Sequence, residues 1–218
     1  MHLQAICIIC LAKKVGNMKQ VIVDNHHQKK VYNDVILEKR EQVPEIIGYL
    51  ENTLDRLQSL KYILDDTFDA DEAFEILEHD LPDSPIEGQK ESFILDIIRL
   101  CVLFSGLKKN NRMKIQIEVV KTNKCRLFHQ DCYRQRLLCT YVGPGTEWLD
   151  HENVNREALG KGKNENIVKD FTKINRTKAF EVILLKGSKY DDNETGIVHR
   201  SPPIEHEGKT RVLLKIDE

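Results

Sequence analysis

The sequence predicts an α+β protein in which N-terminal helices pack on a C-terminal β sandwich or barrel. Apolar residues recur at spacings of three and four in the first half of the chain, and the period switches to two after residue 112. Apolar residues make up 40% of 218, enough to bury a core. Helices first and strands afterwards is the order of an α+β arrangement. Three regions follow: an extension over residues 1–40, a helical region over 41–110, and a β domain over 111–218.

Within the extension, residues 3–12 are apolar but too short for the ~20 residues that cross a bilayer. No Lys or Arg precedes them, so they make a poor signal peptide. Met18 begins a more ordinary hydrophilic start, and residues 1–17 read as an upstream extension outside the fold or as a misassigned start. Cys7 and Cys10 form half of a zinc or redox motif whose second half is missing.

From Glu41 the pattern is helical. Ile47, Leu50, Leu54, Leu57, Leu60 and Leu64 fall on one face, with a stop near Asp65 and Asp66. Residues 69–77 predict a short second helix, ended by Leu81-Pro82-Asp83-Ser84-Pro85. Phe93, Ile94, Ile97, Cys101 and Phe104 make the stripe of a third. Gly106 suits a left-handed cap there, and Lys108 and Lys109 suit the negative pole.

Met113, Ile115, Ile117 and Val119 then alternate with Lys114, Gln116 and Glu118, which buries one face of a strand. Further strands are predicted at 126–131, 136–142, 178–185, 196–200 and 209–216. The consecutive apolar residues Val182, Ile183, Leu184 and Leu185 indicate a strand covered on both faces. Residues 150–176 are interrupted by Asn153, Asn155, Gly160, Gly162, Asn164 and Asn166, and read as a mobile surface loop. Such a loop is placed either as a lid or as a plain solvated connection.

Composition narrows the function classes. The 33 basic and 35 acidic side chains nearly cancel, so no global field attracts nucleic acid or an acidic membrane. Six cysteines in a chain this long and apolar fit reduced thiols in a cytoplasmic protein better than a disulfide framework.

The chemistry is carried by His129, Asp131, His199 and Arg211. Residues two apart on a strand point to the same side, so His129 and Asp131 can present an imidazole and a carboxylate to one metal ion while Gln130 faces away. His199 lies on another short strand, ended by Pro202 and Pro203. Two histidines and one carboxylate on one face of an octahedral ion leave three positions open. Arg211 follows His199 by twelve positions on a strand expected to pair back beside the histidine. Its planar fork can hold a carboxylate through two parallel hydrogen bonds. Taken singly, each residue has a bland explanation, a satisfied polar core histidine or a turn aspartate. As an ordered set with compatible faces, they make a metal site with a diacid slot.

The segments FHQD, GIVHRSPP and GKTRVLLKID resemble the iron(II)- and 2-oxoglutarate-dependent dioxygenase superfamily over about residues 112–217. The resemblance implies a double-stranded β-helix, a jelly-roll or cupin-like sandwich, in the C-terminal half. It also implies that His129, Asp131 and His199 hold Fe(II) and that Arg211 anchors 2-oxoglutarate, with Thr140 or Tyr141 adding a hydroxyl. The activity implied is hydroxylation or oxidative demethylation of a small-molecule or protein substrate, with succinate and carbon dioxide as coproducts. The chain departs from the superfamily pattern at Gly143-Pro-Gly-Thr-Glu-Trp148, where Glu147 and Trp148 read as a polar rim and an aromatic wall, or as packing at the sandwich edge.

The run RLLCTYVGPGTEWL over 136–149, with its flanking His-x-Asp, also resembles an uncharacterised bacterial family of unknown function. That resemblance implies a role in metal homeostasis. It sustains a rival reading, a non-catalytic zinc-binding protein using the same three residues with Cys125, Cys132 or Cys139 nearby, since thiolate favours zinc over iron. Buried free thiols are the simpler account of those cysteines. His151 and His206 lie in polar, turn-like surroundings and read as solvent-exposed.

Overall fold

The structure, a computed structural model, describes residues 29–32, 35–64, 68–109, 112–190 and 195–218. The expectations for residues 1–17, for Cys7 and Cys10, and for a stop at Asp65 and Asp66 lie outside the described residues.

Two antiparallel sheets form a sandwich. The strands are β1 (Lys29–Tyr32), β2 (Val35–Glu38), β3 (Leu60–Leu64), β4 (Met113–Val120), β5 (Gln135–Val142), β6 (Glu147–Leu149), β7 (Asn175–Arg176), β8 (Val182–Lys186), β9 (Val198–Arg200) and β10 (Arg211–Asp217). The large sheet runs in the order β1-β2-β8-β5-β10-β4-β3, and the small one β7-β6-β9. From β4 onward the chain crosses repeatedly between the sheets. β4 is in the large sheet, residue 129 bridges to β9 of the small one, and β5 returns to the large sheet. β6 and β7 are small-sheet strands, and β8, β9 and β10 alternate again. This alternation is the winding of a double-stranded β-helix, a jelly roll. The fold is therefore α+β, with N-terminal helices packed on a double-stranded β-helix.

Strand periodicity gives the large sheet two different faces. Met113, Ile115, Ile117, Leu137, Cys139, Tyr141, Val182, Val212, Leu214 and Ile216 face the helices and form one core with Phe93, Ile94, Ile97, Cys101 and Phe104. Leu138, Ile183, Leu185 and Leu213 face the small sheet and pack on Trp148 and Ile197. Val182 through Leu185 are thus covered on both sides. Each large apolar side chain buried in this way stabilises by about 1.5–3 kcal/mol. A one-residue slip of β5 or β10 would exchange these faces, so the two cores fix the register that aims the polar residues of the site.

Three long helices cover the first face: α1 (Pro44–Thr53), α2 (Ala70–Asp80) and α3 (Gln89–Ser105). Pro44 begins α1 where a missing N–H costs nothing. Asp69 caps α2 by accepting from the N–H groups of Asp71 and Glu72. Gly106 ends α3 with φ −74°, so the left-handed cap expected there is not formed, and right-handed turns to Val102 and Phe104 carry the chain out.

Two further expectations are corrected. The stripe from Ile47 to Leu64 is not one helix. Helix α1 stops at Thr53, and Leu60 to Leu64 pair with β4 as an edge strand. Leu60, Tyr62 and Leu64 also fit a period of two, and pairing with β4 satisfies their backbone as a lone helix end would not. Residues 150–176 are not a loose loop. They fold into short 3-10 turns and a single helical turn, α4 (Asn164–Ile167), joined by a Val154–Val168 bridge. Val154, Ala158, Ile167 and Val168 bury against Phe128, Leu149 and Val198. The polar residues that suggested mobility serve the turns, as when Asn153 Nδ2 donates to the carbonyls of Asp170 and Lys173.

Candidate metal centre

His129 and Asp131 come from the stretch between β4 and β5, and His199 from the middle of β9. Residues 126–131 do not form the regular strand expected. A single bridge remains, in which His129 and His199 exchange backbone hydrogen bonds of 3.0 and 2.9 Å. A side chain replaces a strand neighbour on this stretch. Asn164 Oδ1 accepts from Phe128 N–H at 2.8 Å, and its Nδ2 donates to Arg126 O at 3.1 Å. Three residues after Phe128, Asp131 O accepts from Ser188 N–H at 2.9 Å. That approach needs Gly187, where a Cβ would fall 1.9 Å from Tyr133 O.

One donor atom from each of His129, Asp131 and His199 lies within 4.8 Å of the others. His199 Nε2 is 3.2 Å from Asp131 Oδ2, and His129 Nε2 is 3.7 Å from Asp131 Oδ1. Each imidazole is oriented by a carbonyl two residues before it: Nδ1 of His129 meets Leu127 O at 2.9 Å, and Nδ1 of His199 meets Ile197 O at 3.2 Å. A carbonyl only accepts, so Nδ1 carries the proton in both rings. The Nε2 lone pairs are left facing each other and the carboxylate, the tautomer a metal requires. Gln130 points away, accepting from Arg156.

The electrostatics agree with that arrangement. Burial, and then the neighbouring His199, push His129 below the usual imidazole range. Burial alone would raise Asp131, but the close approach of His199, then Arg136 and His129, outweighs it and holds the carboxyl well below the usual range. A neutral imidazole and an ionised carboxylate are the ligand forms. Two nitrogens and one oxygen, with no thiolate, fit iron(II) and other first-row divalent ions.

A cavity of ≈ 40 Å³ opens beside the cluster, lined by both histidines, Arg136, Leu138, Thr146, Ser201, Leu213 and the ion pair Glu118–Lys215, with Cys125 and Arg200. Arg211 stands behind this lining. The strand it begins, β10, runs between β5 and β4 in the large sheet, so it does not pair beside β9 as the sequence suggested. The Pro202-Pro203 turn instead carries the chain across the sandwich. Arg211 reaches back over the gap: Nη1 donates to Ser201 Oγ at 2.6 Å, Nη2 to Thr140 Oγ1 at 3.2 Å and Nε to Pro144 O at 2.7 Å. The guanidinium is fully buried, and these hydrogen-bond partners are all uncharged. Burial pulls its pKa down to about 10, with Glu118, Cys125 and Glu147 partly offsetting the effect.

Thr140 is thus beside Arg211, but Tyr141 is not. Alternation sends Tyr141 to the helix face, where its hydroxyl donates to Asp96 at 2.7 Å and its ring packs on Phe93 and Phe180. That removes it from any cosubstrate site. Glu147 is no polar rim either: it is buried between Arg176 and Arg200. Trp148 packs in the second core. Cys139 lies on the helix face beside Arg40, its thiol pushed up to about 11 by burial, and no cysteine joins the three donors among the described residues. His206 is exposed, and His151 accepts from Arg156.

Sequence reasoning passed over Arg136 and Ser201. Arg136 donates through Nη1 to Asp131 Oδ2 and grips Asp217 with Nε and Nη2. Its signal was present, as the one charged side chain in an apolar strand. Ser201 was hidden, because its role depends on how the following turn crosses between sheets.

A double-stranded β-helix that brings donor atoms of two histidines and one aspartate within 4.8 Å of one another defines the class: a jelly-roll protein with a candidate two-histidine, one-carboxylate metal site. Residues 23–217 match the family described as a protein of unknown function, DUF1826, and the chain belongs to it. No curated protein matches. Among solved structures, a selenomethionine-labelled Fe(II)/α-ketoglutarate-dependent dioxygenase, TqaL, is similar at 10% identity and a TM-score of 0.42, over 95% of this chain and 86% of that one. A full-length protein of Neurospora crassa, crystallised in complex with α-KG, is similar at 11% identity and a TM-score of 0.36, over 98% of this chain and 72% of that one. Among the described residues, no helix is long and apolar enough to cross a membrane.

Proposed function

We propose that this chain is an iron(II)- and 2-oxoglutarate-dependent oxygenase that hydroxylates or oxidatively demethylates a small-molecule or protein substrate. The observation that carries the reading is Arg211, a buried cation hydrogen-bonded, among the described residues, to neutral oxygens alone, one of them Ser201 Oγ, whose residue lines the same cavity as His129 and His199. A buried guanidinium without a bonded carboxylate is costly, and a ligand carboxylate relieves the cost.

In this reading His129, Asp131 and His199 hold the ion. With 2-oxoglutarate bound, iron(II) supplies the oxidation of a substrate C–H bond by dioxygen as the diacid is converted to succinate and carbon dioxide. Arg211 turns its fork from Ser201 and Thr140 to the distal carboxylate, and those hydroxyls remain beside it as further donors. The cavity, ≈ 40 Å³, would have to widen to take the diacid, and Leu138 and Leu213 would give it an apolar wall.

A non-catalytic zinc protein would use the same donors, and Arg211 separates the two readings because metal storage needs no carboxylate clamp. Anaerobic iron(II) titration with and without 2-oxoglutarate, followed by a succinate assay in air, tests this. Cosubstrate binding that depends on metal and is lost in Arg211→Ala supports the oxygenase. Purified protein that holds zinc and makes no succinate supports metal handling.

A further inference from the structure

The cluster is joined by a fourth side chain that is not a ligand. Arg136 is buried on β5, and its fork is divided between two carboxylates: Nη1 holds Asp131 Oδ2, while Nε and Nη2 hold Asp217 at 2.5 and 3.0 Å. Asp217 is its direct cross-strand partner on β10 and is itself almost wholly buried. Lys114, across β10 on β4, stands 4.0 Å from Asp217, and the Tyr133 ring lies 4.9 Å from the centre of the guanidinium. All three nitrogens of the guanidinium are therefore engaged, and its position is fixed where β5 pairs with β10 in the interior of the large sheet.

Two effects of Arg136 on a metal ion oppose each other. As a nearby positive charge it repels a divalent cation. As a fixed donor it locks the Asp131 carboxylate in the orientation that faces both imidazoles, sparing the ion the cost of ordering it. Asp217 decides between them. Asp131, Arg136 and Asp217 together carry one net negative charge, the same as a lone carboxylate, so Asp217 offsets the repulsion and leaves the orientation.

We infer that Arg136, held by Asp217, is the positioning residue of the metal centre and sets the affinity of His129, Asp131 and His199 for a divalent ion. The inference rests on the reading of those three residues as the metal ligands. It gives Arg136 and Asp217 a role that charge alone would reverse.

The test is calorimetric titration of Co(II) alone into the metal-free full-length protein, with folding checked by circular dichroism. Arg136→Gln removes the cation beside Asp131 and leaves two carboxylates with Lys114 near Asp217, so charge alone predicts tighter binding, whereas positioning predicts affinity about 10–100-fold weaker. Arg136→Lys keeps the charge and the fold but not the fork, and falls between the two. In an Asp131→Asn background the further loss from Arg136→Gln disappears, because the group it positions is gone. Unchanged or tighter binding in Arg136→Gln, or a loss that persists in the Asp131→Asn background, overturns the inference while leaving the three ligands standing. Wild-type protein that binds no Co(II), or binds it as Asp131→Asn does, overturns the ligand set itself.

Discussion

Asn164 Oδ1 accepts the backbone N–H of Phe128 at 2.8 Å, and through this contact the segment between β6 and β7 supports the residue that precedes His129. Phe128 and Val198, the neighbours of the two histidines, share one small core with Val154, Ile167 and Val168. The histidines are thus held from behind by the segment their sequence separation encloses.

Asn164→Ala leaves the Phe128 N–H without its partner, and an unmet buried donor costs about 1–3 kcal/mol. We expect a drop of that size in urea denaturation, accompanied by weaker metal binding. Ile167→Ala should cost about 2–5 kcal/mol by emptying the same core. A loss of stability with metal affinity untouched would separate this segment from the site.

The fold was largely legible because two periods, 3.6 and 2, report two kinds of neighbour. Phe93 to Phe104 and Met113 to Val119 each admit one period. Leu60, Tyr62 and Leu64 admit both, and only the presence of β4 alongside decides for a strand. In 150–176 the short turns bury too few apolar residues in sequence to show any period, although Val154 and Ile167 are as buried as the main core. Where chemistry and alternation coincide, the structure brings His129, Asp131 and His199 together and sets Thr140 beside Arg211. Tyr141 was misplaced by one pleat: a residue adjacent to Thr140 in sequence must face the opposite side of the sheet. Arg211 and Ser201 meet across two sheets, a relation that no local pattern encodes.

Arg211→Lys should leave metal affinity unchanged and weaken 2-oxoglutarate binding. Lysine keeps the charge but cannot make the two parallel hydrogen bonds, and a hydrogen bond to a charged group contributes about 1.5–3 kcal/mol. Competition binding in the presence of metal reads the difference. Equal affinity for the diacid in both proteins would remove Arg211 from the slot.

Stability of the metal-free protein should fall as pH drops from neutrality. His129 titrates below its ordinary value of about 6.5 in the folded state, so the unfolded chain takes up the proton first. Its contribution is complete above the ordinary value and is lost as pH falls towards the depressed one. His129→Gln should flatten the dependence in that window, read as the thermal midpoint across a pH series. An unaltered slope would show that other groups carry it.

The central claim is that His129, Asp131 and His199 close on a single ion, and stoichiometry measures it most directly. Anaerobic titration of iron(II) into metal-free protein should show one equivalent bound in the wild type. Asp131→Ala and His199→Ala should retain the fold by circular dichroism but show no stoichiometric binding. Iron(II) taken up equally by the wild type and both variants, or not taken up by the wild type at all, would contradict the account.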